Sequence, residues 1–248
     1  MKTGDNMILL RKAVLMIHGF AGGTYDQEFL ANYIEKNKKF DVYTYTLPGH
    51  SHILNNKSTC EEWLTASKDM VDMLVKNGYQ EIDIIGHSMG GVIATYLASE
   101  YKQVKKLVLV APAFRYFNVE DRNINIFDIL KLTPEILSQY GKDEVTSRLT
   151  KLPFSTVKEF MKLVADYQKT PENVHVPTLI IQGMEDKVVP PETAKYLYDK
   201  LGTDKKKIIY IGDCTHDLLR ESKKEAVSHI IEEFLKRGIS KIETIEQL

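Results

Sequence analysis

The stretch from Ile82 to Leu97 restricts what this chain can become more than any other. Ile82-Asp83-Ile84-Ile85 is a short run rich in β-branched residues, closed by Gly86 before a helix could form, and so predicts a strand. After Met89 the apolar residues recur at helical spacing, with Val92 and Tyr96 on one line and Ile93 and Leu97 on another. Between the two lies Gly86-x-Ser88-x-Gly90, a sharp turn with serine at its apex. Side chains at the glycine positions would collide with neighbouring backbone as the strand doubles into the helix. The positive end of the helix then faces the serine, where it favours developing negative charge. This is the pattern of a nucleophile elbow, which lifts a serine hydroxyl clear of a sheet. The bare pattern arises by chance in about 8% of chains this long, so the strand before it and the helix after it carry the weight. The plain alternative is a turn whose serine only caps the helix.

At 248 residues, 43% hydrophobic and 27% charged, the chain suits one domain of the larger α/β type. A net charge of −1 argues against a nucleic-acid footprint. The lysine groups at Lys36, Lys38 and Lys39 and at Lys205–Lys207 flank predicted strands and read as solvated edges. Two cysteines, Cys60 and Cys214, are too few for a disulfide framework and lack metal-ligand spacing. Arg11 and Lys12 interrupt the apolar stretch within Met1–Ile17, so no secretory leader is expected there. No run approaches the roughly 20 apolar residues of a membrane span. These features predict a cytoplasmic protein without an integral membrane span. No sequence feature specifies an oligomeric state.

Buried strands are predicted at Ala13–Ile17, Phe40–Thr46, Ile82–Ile85, Lys106–Ala111, Thr178–Gln182 and Lys207–Ile211, with helices between them. The helices are expected near Tyr25–Asn37, after a Ser58 or Thr59 cap, from Met89, at Pro191 or Glu192 to Leu201, and over Lys223–Lys236. Continuous apolar strands mark a parallel sheet covered on both faces. From about residue 113 to 175 the alternation stops, and helices are expected near Ile124–Leu132, Pro134–Tyr140, Lys142–Lys151 and Phe154–Tyr167. The expected organisation is an α/β core, residues 1–112 and 176–248, with a helical cap inserted at 113–175.

Ligands of open parallel sheets bind beyond the carboxyl ends of the strands. The loops there carry His18-Gly19-Phe20, His50, Ser88, Asp186 and His216. Serine needs a base of pKa ~7 and a carboxylate to orient that base. Ser88, His216 and Asp186 fill these roles as catalytic candidates. Glu185, Asp213 and Asp217 are nearby, but Asp213 and Asp217 sit too close to His216 in sequence to reach behind its ring easily. Backbone N–H groups of Phe20 and Met89 are the expected oxyanion hole. His18 and His87 read as residues that pack or hydrogen-bond near the cleft floor. His50 and His52 alone do not make a metal site, so no metal is expected. The Gly-rich loop at Gly19–Gly23 lacks the Gly-Lys-Ser/Thr ending of a phosphate loop.

The order serine, acid, histidine is that of the α/β-hydrolase fold. His18-Gly19-Phe20, Pro48-Gly49-His50, Gly86-His87-Ser88-Met89-Gly90-Gly91, Gly183-x-x-Asp186-x-x-Val189-Pro190 and His216 together resemble that superfamily over nearly the whole chain outside the cap. Within it the chain is similar to small bacterial carboxylesterases and monoacylglycerol lipases with a short helical cap. The resemblance implies a mostly parallel open sheet flanked by helices, and hydrolysis of carboxylic esters without a cofactor. Many relatives carry an antiparallel hairpin ahead of the first parallel strand, which this sequence lacks. The expected chemistry is acyl transfer through an acyl-enzyme on small short- to medium-chain esters. Phe127, Ile129, Leu130, Leu137, Phe160 and Met161 are candidates to line an acyl pocket, or else to pack the cap onto the body. The same three residues also serve feruloyl esterases, thioesterases and C–C bond hydrolases. A non-enzymatic binding protein of this fold would have lost one of them, and a dehalogenase would carry aspartate at the elbow.

Overall fold

A computed structural model describes residues 12–50, 57–115 and 153–239. Six strands form one sheet in the order β2-β1-β3-β4-β5-β6, and every neighbouring pair is parallel. They are β1 (Lys12–Ile17), β2 (Phe40–Thr44), β3 (Ile82–His87), β4 (Val104–Val110), β5 (Thr178–Gly183) and β6 (Lys206–Ile211). The described helices are α1 (Glu28–Glu35), α2 (Cys60–Lys76), α3 (Met89–Glu100), α4 (Phe154–Asp166), α5 (Glu192–Lys200) and α6 (Lys224–Arg237). The chain steps from β1 to one side for β2 and to the other for β3. The switch point therefore lies between β1 and β3, next to Ser88.

Successive strand residues point to opposite faces, and the core divides accordingly. Leu15, Ile17, Ile84, Leu107, Leu109 and Ile180 pack with residues of α2, α3, α4 and α5. Val14, Met16, Ile85, Val108, Val110, Leu179 and Ile181 pack with residues of α1 and α6. Helix α3 is buried from Met89 to Thr95, and Gly90, Gly91 and Ala94 let it lie close to the sheet. Helix α2 starts in a reciprocal cap: Thr59 Oγ1 accepts from Glu62 N–H at 3.2 Å, and Thr59 N–H donates to Glu62 Oε2 at 2.7 Å.

Several boundaries fall a residue or more from the sequence reading, and two of these differences have a visible cause. The segment expected to be helical from Tyr25 begins as a 3₁₀ turn, Thr24–Gln27, with Asp26 Oδ2 accepting the Gly23 N–H at 3.0 Å. Strand β4 begins at Val104, so Lys105 and Lys106 lie inside it. Lys106 is accommodated because its Nζ reaches out to the carbonyls of Phe234, at 3.1 Å, and Leu235, at the C-terminal end of α6. Of the expected cap, α4 is present, while the helices expected over 124–132, 134–140 and 142–151 lie outside the described residues, as does the region ahead of β1.

Asp83 is the exception in the buried middle of the sheet. It is fully buried on β3, in register with Val14 and Lys106, and neither carboxylate oxygen has a hydrogen-bond partner. Burial raises its pKa from 3.8 to about 7 against the opposing pull of Lys106 and Lys12, with Glu81 adding to the rise. The folded chain thus keeps a proton that the unfolded chain releases near 3.8. This contribution to stability is complete below the lower value and is lost as pH climbs toward the upper one. Asp83→Asn is expected to stabilise the protein at pH ~8 by up to about 4 kcal/mol, and to change it by less than about 1 kcal/mol at pH ~4. Urea unfolding at the two pH values checks this.

Candidate active site

Ser88 occupies the turn between β3 and α3 with φ 53° and ψ −117°, a left-handed conformation rare for a residue with a side chain. The turn is held on all sides. Ser88 N–H donates to Val110 O at 2.9 Å, and Ser88 O accepts from Gly91 at 2.9 Å and Ala113 at 3.1 Å. A Cβ on Gly86 would lie 2.3 Å from Gly90 O, and one on Gly90 would lie 2.2 Å from Ile17 O. Both glycines are therefore demanded by close backbone approach. The Ser88 hydroxyl makes no capping bond to α3, so it is not the helix cap of the plain alternative.

Asp186 follows β5, and its carboxylate is fully engaged. Oδ1 accepts the N–H groups of Val188 and Val189, each at 2.8 Å. Oδ2 accepts His216 Nδ1–H at 2.8 Å and Gln182 Nε2–H at 2.9 Å. Burial alone would raise Asp186, yet His216 and the Val189 and Val188 amides outweigh it and hold the carboxyl below its ordinary value. Burial likewise pulls His216 down, but Asp186, helped by Asp217 and Glu221, brings its pKa above 6.5. Among the other acids, the Asp213 side chain is 89% exposed and faces Lys223 at 3.8 Å. Asp217 lies 3.6 Å from Arg220 Nη1, and Glu185 is exposed. The histidine and acid loops touch closely enough that a Cβ on Gly183 would lie 2.3 Å from Thr215 O. Gln182 was not singled out from the sequence. Its signal was an amide inside the otherwise apolar strand Thr178–Gly183.

The loop after β1 approaches the same rim. His18 is buried, accepting Leu47 N–H at Nε2 (3.0 Å) and therefore donating from Nδ1 to Gly19 O (2.8 Å). Burial, then the neighbouring His50, lowers its pKa to about 3, so it is a neutral strut. Phe20 stacks on Phe160 of α4 with centroids 4.9 Å apart, and meets Trp63 and His50 edge-on at 6.1 and 5.7 Å. Met161 is buried in the same core cluster. Phe127, Ile129, Leu130, Leu137 and His52 lie outside the described residues. Met89 opens α3, where a backbone N–H has no acceptor within the helix. Cys214 is buried, and burial followed by Glu221 pushes its thiol up to about 11, opposite to what a nucleophilic thiol needs. Among the described residues no three His, Cys, Asp or Glu side chains gather as metal ligands. No described helix is long and apolar enough to cross a membrane.

The family model for Hydrolase_4, described as serine aminopeptidase, S33, matches residues 10–223. The chain belongs to the Hydrolase_4 family. Among its relatives, a carboxylesterase of Bacillus subtilis is 23% identical over 235 residues, covering 91% of this chain and 93% of its own. A thermostable monoacylglycerol lipase of Bacillus sp. (strain H-257) is 24% identical over 209 residues, covering 82% of each. A structure from work on the metagenome-derived lipolytic enzymes LipS and LipT superposes with a TM-score of 0.71 at 21% identity, over 91% of this chain and 94% of that one. The monoacylglycerol lipase of Paleococcus ferrophilus gives 0.68 at 19% identity, over 90% and 93%. The fold of this Hydrolase_4 member is therefore the α/β-hydrolase fold, with Ser88 at its elbow.

The tight approach of α3 to β1 can be tested on stability. Gly90→Ala is expected to lower the urea midpoint by an amount worth at least ~2 kcal/mol, because backbone must move. Ala98→Gly, farther along α3, is expected to cost only about 1 kcal/mol of helix propensity.

Proposed function

We propose that the protein is a serine hydrolase of small carboxylic esters, acting through Ser88, His216 and Asp186. The observations that carry this reading are the buried 2.8 Å bond from His216 Nδ1 to Asp186, the 5.0 Å separation of the His216 ring from that of His87, and the strained backbone of Ser88, the next residue in the chain. A carboxylate at Nδ1 leaves Nε2 of the neutral ring as the proton acceptor. In the first step Ser88 Oγ bonds to the ester carbonyl carbon as His216 takes its proton. The oxyanion rests on the Phe20 and Met89 amides, and His216 returns the proton to the departing alcohol. In the second step water, deprotonated by His216, attacks the acyl-enzyme, and Ser88 leaves with the proton. Phe160, stacked on Phe20, borders the place where an acyl chain would lie, which favours short to medium apolar acyl groups. Two free, buried cysteines accord with a reduced, cytoplasmic setting.

Ser88→Ala is expected to fold normally and to lower kcat by at least ~10⁴ on p-nitrophenyl esters. The panel runs from acetate to laurate, with a monoacylglycerol, a feruloyl ester, an acyl thioester and an aminoacyl p-nitroanilide alongside. Full ester turnover by Ser88→Ala would sink the proposal. A preference for the thioester, the feruloyl ester or the anilide would keep the nucleophile and reassign the substrate.

The base also has a pH signature. Because His216 titrates above 6.5, kcat/KM is expected to fall on the acid side already above that value. Asp186→Asn should shift that limb to lower pH while lowering kcat by roughly 10⁴. An unmoved limb in the Asn variant would contradict the assignment of Asp186.

A further inference from the structure

His87 is a buried residue that the acyl-transfer steps above do not use. It ends β3 immediately before Ser88, and its Nε2 lies 3.0 Å from the backbone oxygen of His216, more than a hundred residues later in the chain. A carbonyl only accepts, so Nε2 carries the proton and donates. The rings of His87 and His216 are 5.0 Å apart and tilted by 42°. The other edge of the His87 ring fills the space under Gly19, where a Cβ would come within 3.2 Å of Nδ1 and 3.1 Å of Ser88 Cβ. One side chain thus meets three of the four loops of the site. It belongs to the elbow, donates to the histidine loop and packs under the oxyanion loop.

We propose that His87 is a positioning residue for His216, its Nε2–H fixing the peptide carbonyl of the base so that the imidazole is held in register with the adjacent Ser88. The inference rests on the reading of Ser88, His216 and Asp186 as nucleophile, base and acid. Asp186 restrains only the ring of His216, through Nδ1; a swing of the loop backbone would carry the ring away from the serine while that bond persisted. The bond from His87 restrains the backbone, and it starts from the residue covalently joined to the nucleophile. The role needs a donor that stays uncharged, since a cation here would oppose the imidazolium that forms on His216. Burial supplies that: it lowers the pKa of His87, the His216 ring adds to the effect, and Asp217, the bond to the His216 carbonyl and Asp26 only partly offset it.

The test compares His87→Gln, whose amide can still donate, with His87→Met and His87→Leu, which cannot. Readouts are kcat and KM on p-nitrophenyl butyrate, the rate of fluorophosphonate labelling at Ser88, and the low-field proton resonance of His216 Nδ1–H. The Met and Leu variants are expected to lose about 100-fold in kcat and in labelling rate, with KM within about threefold and the low-field proton lost to exchange. The Gln variant should recover to within about tenfold of the parent and keep that proton. Equal activity of Gln and Met at similar thermal midpoints would reduce His87 to a packing residue and overturn the inference. If neither donor-less variant folds, the Gln variant decides: kcat and the low-field proton retained support the role, and both lost from a folded protein overturn it. Ser88→Ala is run in parallel. An inactive Ser88→Ala beside a fully active His87→Met refutes only the role of His87, whereas an active Ser88→Ala refutes the underlying reading.

Discussion

The structure depends on how closely the backbone of α3 approaches the end of β1. Gly90 lies against Ile17 O and Gly86 against Gly90 O, each too near for any side chain. That contact forces the turn at Ser88 to be tight, and the tight turn places a non-glycine residue at φ 53°. Backbone in such a region costs about 1–3 kcal/mol and persists only where its surroundings over-determine it. Here they do: β4, the start of α3 and the residues after β4 all hydrogen-bond to Ser88's own peptide groups. The side chain is then the one part of Ser88 left unconstrained by helix capping.

A rigid serine is of use only if its partners are equally fixed, and these come from loops that could move. The chain meets this with hydrogen bonds and ion pairs within the loops and between them. Asp186 is held by two amides and by Gln182 as well as by His216. Thr215 N–H donates to Glu221 at 2.9 Å, steadying the residue before His216. Arg220 Nη1 reaches Asp26 at 3.3 Å, and Asp26 in turn accepts from Gly23 in the loop after β1. The exposed ion pairs elsewhere, such as Lys162 with Asp166, contribute little by comparison, because water and salt screen them.

Much of this was legible in the sequence, for a topological reason. In a parallel sheet every strand ends on the same side, so locating six apolar strands also locates the loops that can share a site. Ser88, Asp186 and His216 become candidates in that way, their order in the chain resembles that of the α/β-hydrolase superfamily, and the structure joins the last two by a hydrogen bond. What escaped were interactions between residues whose chemical type is unremarkable. Gln182 reads as a polar interruption of a strand until Asp186 is seen above it. Lys106 reads as the edge of a strand until the carbonyls of α6 are seen to receive it. His87 reads only as a residue that packs or hydrogen-bonds near the cleft floor, because the carbonyl it meets has no side-chain signature at all. Backbone acceptors leave no trace in composition or periodicity.

The same distinction bears on the cap. Sequence alone left Phe160 and Met161 between two roles, lining a pocket or packing the cap onto the body. Phe160 faces Phe20 at 4.9 Å in a near-parallel stack, and both residues of α4 are buried in the core cluster that contains Trp63, Leu15 and Ile84. Cys60 N–H donates to Glu159 Oε2 at 3.1 Å, joining the start of α2 to α4. Helix α4 is thus continuous with the body through both packing and hydrogen bonding, and moving it would unstack the Phe20 ring. Phe20 is both a stacking partner of α4 and part of the loop after β1, so the position of this helix is coupled to that loop directly, with no intervening element needed.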